Sequence, residues 1–181
     1  FWNSFETINS LKDVNTFFNK MKLLNVSVPR WSTKKSFNDK YLRKKTISFG
    51  GNFVTKNRKK PKNIFLKKDK FSYYQEFIEG ETVSIQFYAE KSFFKVLSLC
   101  SQWIEGNNFL LGGMKLKKMN TFLENRVITI ARRVSKCLNL VGLNSIDFII
   151  TKTTNIPELI EINPRPGLSC FLLDKIHGEN L

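Results

Sequence analysis

Cysteine is scarce in this sequence: three residues among 181, Cys100, Cys137 and Cys170, odd in number and far apart. That spacing excludes the close cysteine pairs of a zinc site or a redox motif, and the thiols are expected to be reduced and buried. No run of about eighteen or more apolar residues occurs, and Phe1 to Ser10 lack the basic-then-apolar layout of a signal peptide. A soluble, cytoplasmic protein without a membrane partner is therefore expected. Internal repeats and low-complexity tracts are missing as well. Acidic residues are half as numerous as basic ones, 15 against 30, for a net charge of +15. Such a field attracts polyanions, but charge alone does not choose among a nucleotide, an acidic metabolite and nucleic acid. The abundance of Lys, Asn, Phe and Ile is also what an AT-rich genome writes into any protein. What the chain does have is core material, 41% hydrophobic residues with 17 Phe, enough for one domain or two small lobes sharing a cleft.

Leu11, Val14, Phe17, Phe18, Met21 and Leu24 fall at helical spacing, and Pro29 ends the pattern, which predicts a helix over 11–24 followed by extended chain. Tyr41 to Lys45, a polar stretch closing on Gly50 and Gly51, then Phe53 and Val54 read as strand, loop and strand. The basic run Lys56 to Lys70 contains Pro61 and only Ile64, Phe65 and Leu66 to bury. It is expected to be a solvated turn leading to a short strand. Tyr73 to Ile78 form a compact apolar segment, and Val83–Ala89 with Phe93–Trp103 should pair as a hairpin around the tight AEKS link. Val127, Ile130, Ala131, Val134 and Leu138 mark one face of a helix that ends near Asn139 and carries Arg126, Arg132, Arg133 and Lys136 on the other. Strands at Ser145–Thr151 and Pro157–Asn163 follow, joined by KTTNI, and NPRPG turns the chain.

The chemistry is most legible in this last hairpin. Alternation places Asp147 with Ser145 and Ile149 on one face, opposite Ile146, Phe148 and Ile150. Burial of Ile160 with Ile162 would send Leu159, Glu161 and Asn163 to the side of Asp147. If the link closes symmetrically about Thr154, Asp147 lies across from Glu161, with roughly 5 Å between β-carbons. Two carboxylates at that spacing repel unless a cation lies between them. An oxygen-only donor set with an amide beside it suits magnesium, with manganese as an alternative, rather than zinc.

The runs SIDFII and ELIEINPRPG, in that order, resemble the paired strands that bear the magnesium ligands of ATP-grasp enzymes. The resemblance implies an α+β fold of two small lobes with antiparallel sheets sandwiching ATP. It assigns Asp147, Glu161 and Asn163 to the metal, and Arg165 to the transferred phosphate or the substrate carboxylate. YLRKKTISFGGNFV resembles the phosphate-covering segment, in which Lys44 supplies charge while Gly50 and Gly51 let backbone N–H groups approach, and Ser48 is a further nucleotide-binding candidate in the same loop. Ser48 and Phe53 stand where the family often has glycine. YYQEFIEGETVSIQF resembles the adenine slot, with Gln75, Glu76, Phe77 and Ile78 around the base and Glu81 beside Thr82, the position nearest the usual ribose-binding acid. Gln102, Gly112 and Gly113 resemble the strand and glycine turn beside the substrate. His177, the sole histidine, lies beyond these motifs and is expected at the surface.

The implied lobes are residues 1–78, with the leading helix and phosphate-covering loop, and 79–181, with the metal-binding hairpin. Family members carry a further N-terminal domain before the helix, so a fragment lacking it is expected. The implied activity is an ATP-dependent carboxylate–amine ligase working through an acylphosphate, nearest in flavour to tyramine–glutamate ligase. Lys44 and Arg165 would offset the charge on the transferred group. Its partners would be a small carboxylate and an amine, with a homo-oligomer left open. Two rivals stand behind it: an ATP-binding or regulatory module without turnover, and, ranked last, a nucleic-acid-binding protein using the Lys56–Lys70 run.

Overall fold

The computed structural model describes residues 2–34, 40–46, 54–56, 72–105 and 109–173. Ser48, Gly50, Gly51, Phe53, His177 and most of the basic run lie outside these residues. The single helix expected over 11–24 is two, α1 (Phe5–Lys12) and α2 (Val14–Leu23), divided at Asp13. Asp13 leaves the helical region, and its side chain accepts the Thr16 N–H at 2.9 Å. A short acidic side chain serves better as an N-cap than inside a helix, so capping overrides the apolar period. Asn25, at φ 50°, closes α2, with the Val26 N–H returning to the Met21 carbonyl at 2.9 Å; asparagine tolerates this left-handed turn.

The smaller sheet runs β1 (Trp31–Ser32), β4 (Ser72–Glu76), β2 (Tyr41–Lys45), β3 (Thr55–Lys56) in spatial order, all antiparallel. The larger sheet has the order β7 (Leu110–Leu116), β6 (Phe94–Glu105), β5 (Gly80–Ala89), β8 (Gly142–Thr151), β9 (Pro157–Asn163). The β5–β6 hairpin closes at Glu90 and Phe93 as the link predicts. One face of the larger sheet is core: Val83, Ile85 and Phe87 of β5 and Ile146 and Phe148 of β8 are fully buried with the apolar stripe of α3 (Thr121–Leu138). Phe17, Phe18 and Met21 of α2 join the same cluster. Each such side chain contributes about 1.5–3 kcal/mol by leaving water, and Phe18 also stacks on Trp31 and meets Tyr73 edge to face, so α2 packs against the smaller sheet as well. No helix among the described residues is long and apolar enough to cross a membrane. The three cysteines are free, but only Cys100 is buried as expected: Cys170 is half-buried, and Cys137 is exposed because it falls on the polar side of α3.

The final hairpin departs from its expected phase. The turn closes one residue early, pairing Ile150 with Pro157 and Ile149 with Glu158, and a bulge at Ile160 then restores Asp147 opposite Glu161. The extra residue reverses the strand's facing on either side of it. Leu159, read as a neighbour of the acids, lies opposite Phe148 and is wholly buried in the core, while Ile160, read as core, lines the cleft.

Candidate active site

Strand alternation gives the larger sheet a polar second face. Thr82 and Ser84 project from β5, Gln102 from β6, and Asp147 and Ile149 from β8 into a cleft of about 660 Å³. Leu42, Lys44 and Gln75 of the smaller sheet form the opposite wall. Register places Ser84 beside Asp147 on one side and Glu161 on the other, so one row crosses three strands.

Asp147 Oδ2 accepts from Asn163 Nδ2 at 3.2 Å, and Oδ1 is buried without a hydrogen-bond partner. Burial and the neighbouring charge of Glu161 push the Asp147 pKa up to about 6, against the lowering effects of Ser84, Lys44 and Asn163. Arg165 Nη2 donates to Asn163 Oδ1 at 3.1 Å, which continues the chain from acid to amide to guanidinium. Across the cleft the Lys44 ammonium, 6% exposed, donates to Gln75 Oε1 at 3.1 Å and to the Ile160 carbonyl at 3.4 Å. Burial alone would lower its pKa, but Tyr73, Glu161 and Asp147 outweigh that and leave it raised, so the group stays charged.

The donor chemistry fits a hard divalent cation. Among the described residues no cluster of three or more His, Cys, Asp or Glu exists, so the set is two carboxylates and an amide, all oxygen donors. The buried, unpartnered Asp147 Oδ1 lacks what a cation would supply. Asn163 shows its NH2 to Asp147 and its oxygen to Arg165, so it would join a cation only by turning its amide over.

Where β4 leads into β5, the Glu76 N–H is taken by the Arg30 carbonyl at 2.7 Å and the Phe77 N–H by the Lys40 carbonyl at 2.7 Å. The Glu76 carboxylate is held by Arg30 at 2.6 and 2.8 Å, which lowers its pKa and commits the side chain to the sheet. Gln75 Nε2 is buried and unpartnered. Phe77 meets Phe109 edge to face at 6.1 Å between centroids. Glu81, at the cleft rim, pairs with Lys117 at 2.8 Å, while Thr82 occupies the inward position. Trp103, 51% exposed, lies over Gly112 and Gly113, where a β-carbon on Gly113 would come within 2.2 Å of the indole. The structure thus gathers Lys44, Gln75 to Ile78, Glu81, Gln102, Asp147, Glu161, Asn163 and Arg165 around one cleft. Ile160, Leu42 and Met114 also line it and were missed, since an apolar residue in a strand looks like core; Ser84 was missed because its register with Asp147 spans distant strands.

A sequence profile of the ATP-grasp domain matches residues 12–169. The chain belongs to the ATP-grasp family. Solved structures agree on the fold. A protein from Archaeoglobus fulgidus, described as of the ATP-grasp superfamily, is 22% identical with a TM-score of 0.72, over 95% of this chain and 51% of its own. L-amino acid ligase from Bacillus licheniformis is 14% identical with a TM-score of 0.75, over 95% of this chain and 45% of its own. D-alanine–D-alanine ligase from Bacillus anthracis is 17% identical with a TM-score of 0.64, over 90% and 59%. The chain therefore spans about half the length of these proteins. No curated protein matches it. The ATP-grasp match runs from the last residue of α1 into the start of the 3-10 turn (Leu168–Leu172), so it takes in both cleft walls and the whole Asp147–Arg165 chain.

Proposed function

We propose that this ATP-grasp domain binds ATP with magnesium in the cleft and serves an ATP-dependent carboxylate–amine ligase. The observation that carries the reading is the unpartnered Oδ1 of Asp147 set opposite Glu161, facing a buried cationic Lys44 across a cleft of about 660 Å³. That volume lies within the ~300–1,000 Å³ of small-molecule sites. The fixed charges of Asp147, Glu161, Lys44 and Arg165 cancel, so a triphosphate needs an added cation to be held there. In this reading residues 1–78 supply the phosphate-covering lobe and 79–181 the metal-bearing one.

Asp147, Glu161 and Asn163 would hold the ion, which supplies positive charge against the β- and γ-phosphates when bound. The segment Gln75–Ile78 would seat the adenine, with Ile160 packing on it from the bulge. Among the described residues no backbone carbonyl accepts the Ile78 N–H, whereas the N–H groups of Glu76 and Phe77 are both taken. Lys44, whose pKa is raised, places its charge on the phosphates, and Arg165 places a second on the transferred group. A substrate carboxylate oxygen then bonds to the γ-phosphorus as the bond to the ADP oxygen breaks. The acylphosphate accepts an amine nitrogen, the C–O bond to phosphate breaks, and the amine gives up a proton. A tyramine–glutamate ligase-like branch is the finer assignment within that activity. The deciding experiment is calorimetry of Mg·ATP with the wild type, Asp147→Asn and Glu161→Gln, followed by ADP formation in the full-length protein. Binding that survives both substitutions unchanged sinks the site. ADP formation that needs no added acid and amine sinks the ligase.

A further inference from the structure

Two buried carboxamides from remote parts of the chain grip the turn that carries Arg165. From the centre of the larger sheet Gln86, with no exposed surface, accepts the Gly167 N–H at 3.2 Å and the Ser169 hydroxyl at 3.0 Å, both on its Oε1. From the start of the chain Asn3, 8% exposed, donates to the Pro164 carbonyl at 3.0 Å and to Asn144 Oδ1 at 2.7 Å. Its own Oδ1 accepts the Val141 N–H at 2.8 Å. Pro164 and Gly167 flank Arg165, so the guanidinium is mounted between two fixed points. The seat is tight as well: a β-carbon at Gly167 would stand 2.8 Å from Ser145 Oγ and 2.9 Å from Gln86 Oε1.

Neither amide lines the cleft among the described residues, so neither is placed to touch a ligand. Nor is Gln86 explained as a stability optimum, because its Nε2 is buried without a partner and an unpaired buried donor costs stability. What its burial achieves is one oxygen accepting two donors from the turn. Displacement of that turn would move Arg165, which stands between Pro164 and Gly167, and Asn163, which immediately precedes Pro164.

Resting on the nucleotide reading of the cleft, we infer that Gln86 and Asn3 are positioning residues that pre-set Arg165 and Asn163 for the phosphoryl group in flight. Small misplacements weaken transition-state contacts far more than ground-state binding. The test compares Mg·ADP with Mg·ADP plus aluminium fluoride, a planar mimic of the transferring phosphoryl group, by calorimetry on the protein. Gln86→Met is expected to bind Mg·ADP within about twofold of wild type and the mimic about 10–100-fold more weakly, since an error of about 1 Å can cost that much. Asn3→Ala removes the second grip on the turn and should lose about three- to tenfold on the mimic alone. Should Gln86→Met fail to fold by circular dichroism, Asn3→Ala decides. Equal losses for ADP and the mimic, or no loss on the mimic, overturn the clamp while leaving the nucleotide site standing. A wild type that does not bind Mg·ADP at all overturns the reading of the cleft and the clamp with it.

Discussion

Replacing Asp147 by asparagine should make the metal-free protein more stable while abolishing its hold on Mg·ATP. Burial and Glu161 raise the carboxyl from its ordinary 3.8 to about 6. Each pH unit of that gap is worth 1.36 kcal/mol, so the ionised native state carries a penalty of about 3 kcal/mol as an upper figure. The sign follows from where the proton sits. Below pH 3.8 the carboxyl is protonated in both folded and unfolded chains and costs nothing. As pH rises through that value the unfolded chain ionises first, and the native state falls behind until the folded pKa near 6 is passed. Stability therefore drops between about pH 4 and 6 because of this group, and the loss is complete above that window. Urea denaturation in EDTA at pH 7.5 should find Asp147→Asn about 2–3 kcal/mol more stable than wild type, with the difference vanishing near pH 4. Millimolar magnesium should narrow the gap by stabilising only the wild type, since a ligand bound to the native state alone shifts unfolding by mass action. If Asp147→Asn proves less stable than wild type in EDTA at pH 7.5, the picture of a buried carboxyl destabilised by burial and by Glu161 is wrong.

Lys44→Met removes the buried cation that faces Asp147 and Glu161; calorimetry should show Mg·ATP affinity down by about 10–100-fold, in line with ~1.5–3 kcal/mol for a charged hydrogen bond. The bulge makes two neighbouring residues behave oppositely. Leu159→Ala should cost about 2–5 kcal/mol of stability in urea with little change in nucleotide affinity per folded molecule. Ile160→Ala should weaken Mg·ATP binding at a smaller cost in stability, and the reverse pattern would restore the unbulged strand. Gly113→Ala forces a β-carbon against the Trp103 ring, so tryptophan emission should shift to the red as the indole is displaced; an unchanged spectrum would contradict the stacking.

How far the sequence could be read is best judged at the final hairpin. Period-two alternation was enough to put Asp147 on the polar face, because Ile146, Phe148 and Ile150 leave no other phase for a sheet with one buried side. The pairing with Glu161 was also foreseen, but for an incomplete reason. A link symmetric about Thr154 was assumed, whereas Thr151 and Thr154 share a hydroxyl contact of 2.6 Å and Asn155 turns at φ 54°, which closes the link one residue early. The bulge at Ile160 then adds one residue back. Two departures cancel at the acids and show only at Leu159 and Ile160, where no local pattern distinguishes an apolar side chain in the core from one in the cleft. The same limit hid Ser84 and the Gln86–Gly167 contact: both depend on β5 meeting segments some sixty to eighty residues away, and pairing register between distant strands leaves no trace in hydrophobic periodicity. Composition carried still less. The +15 charge suits a triphosphate, yet the charged groups that line the cleft are five acids, Glu76, Glu79, Glu81, Asp147 and Glu161, against three bases, Lys44, Lys152 and Arg165, so in the function proposed above the draw on an anion comes through a bound cation rather than from the surplus of lysine elsewhere on the chain.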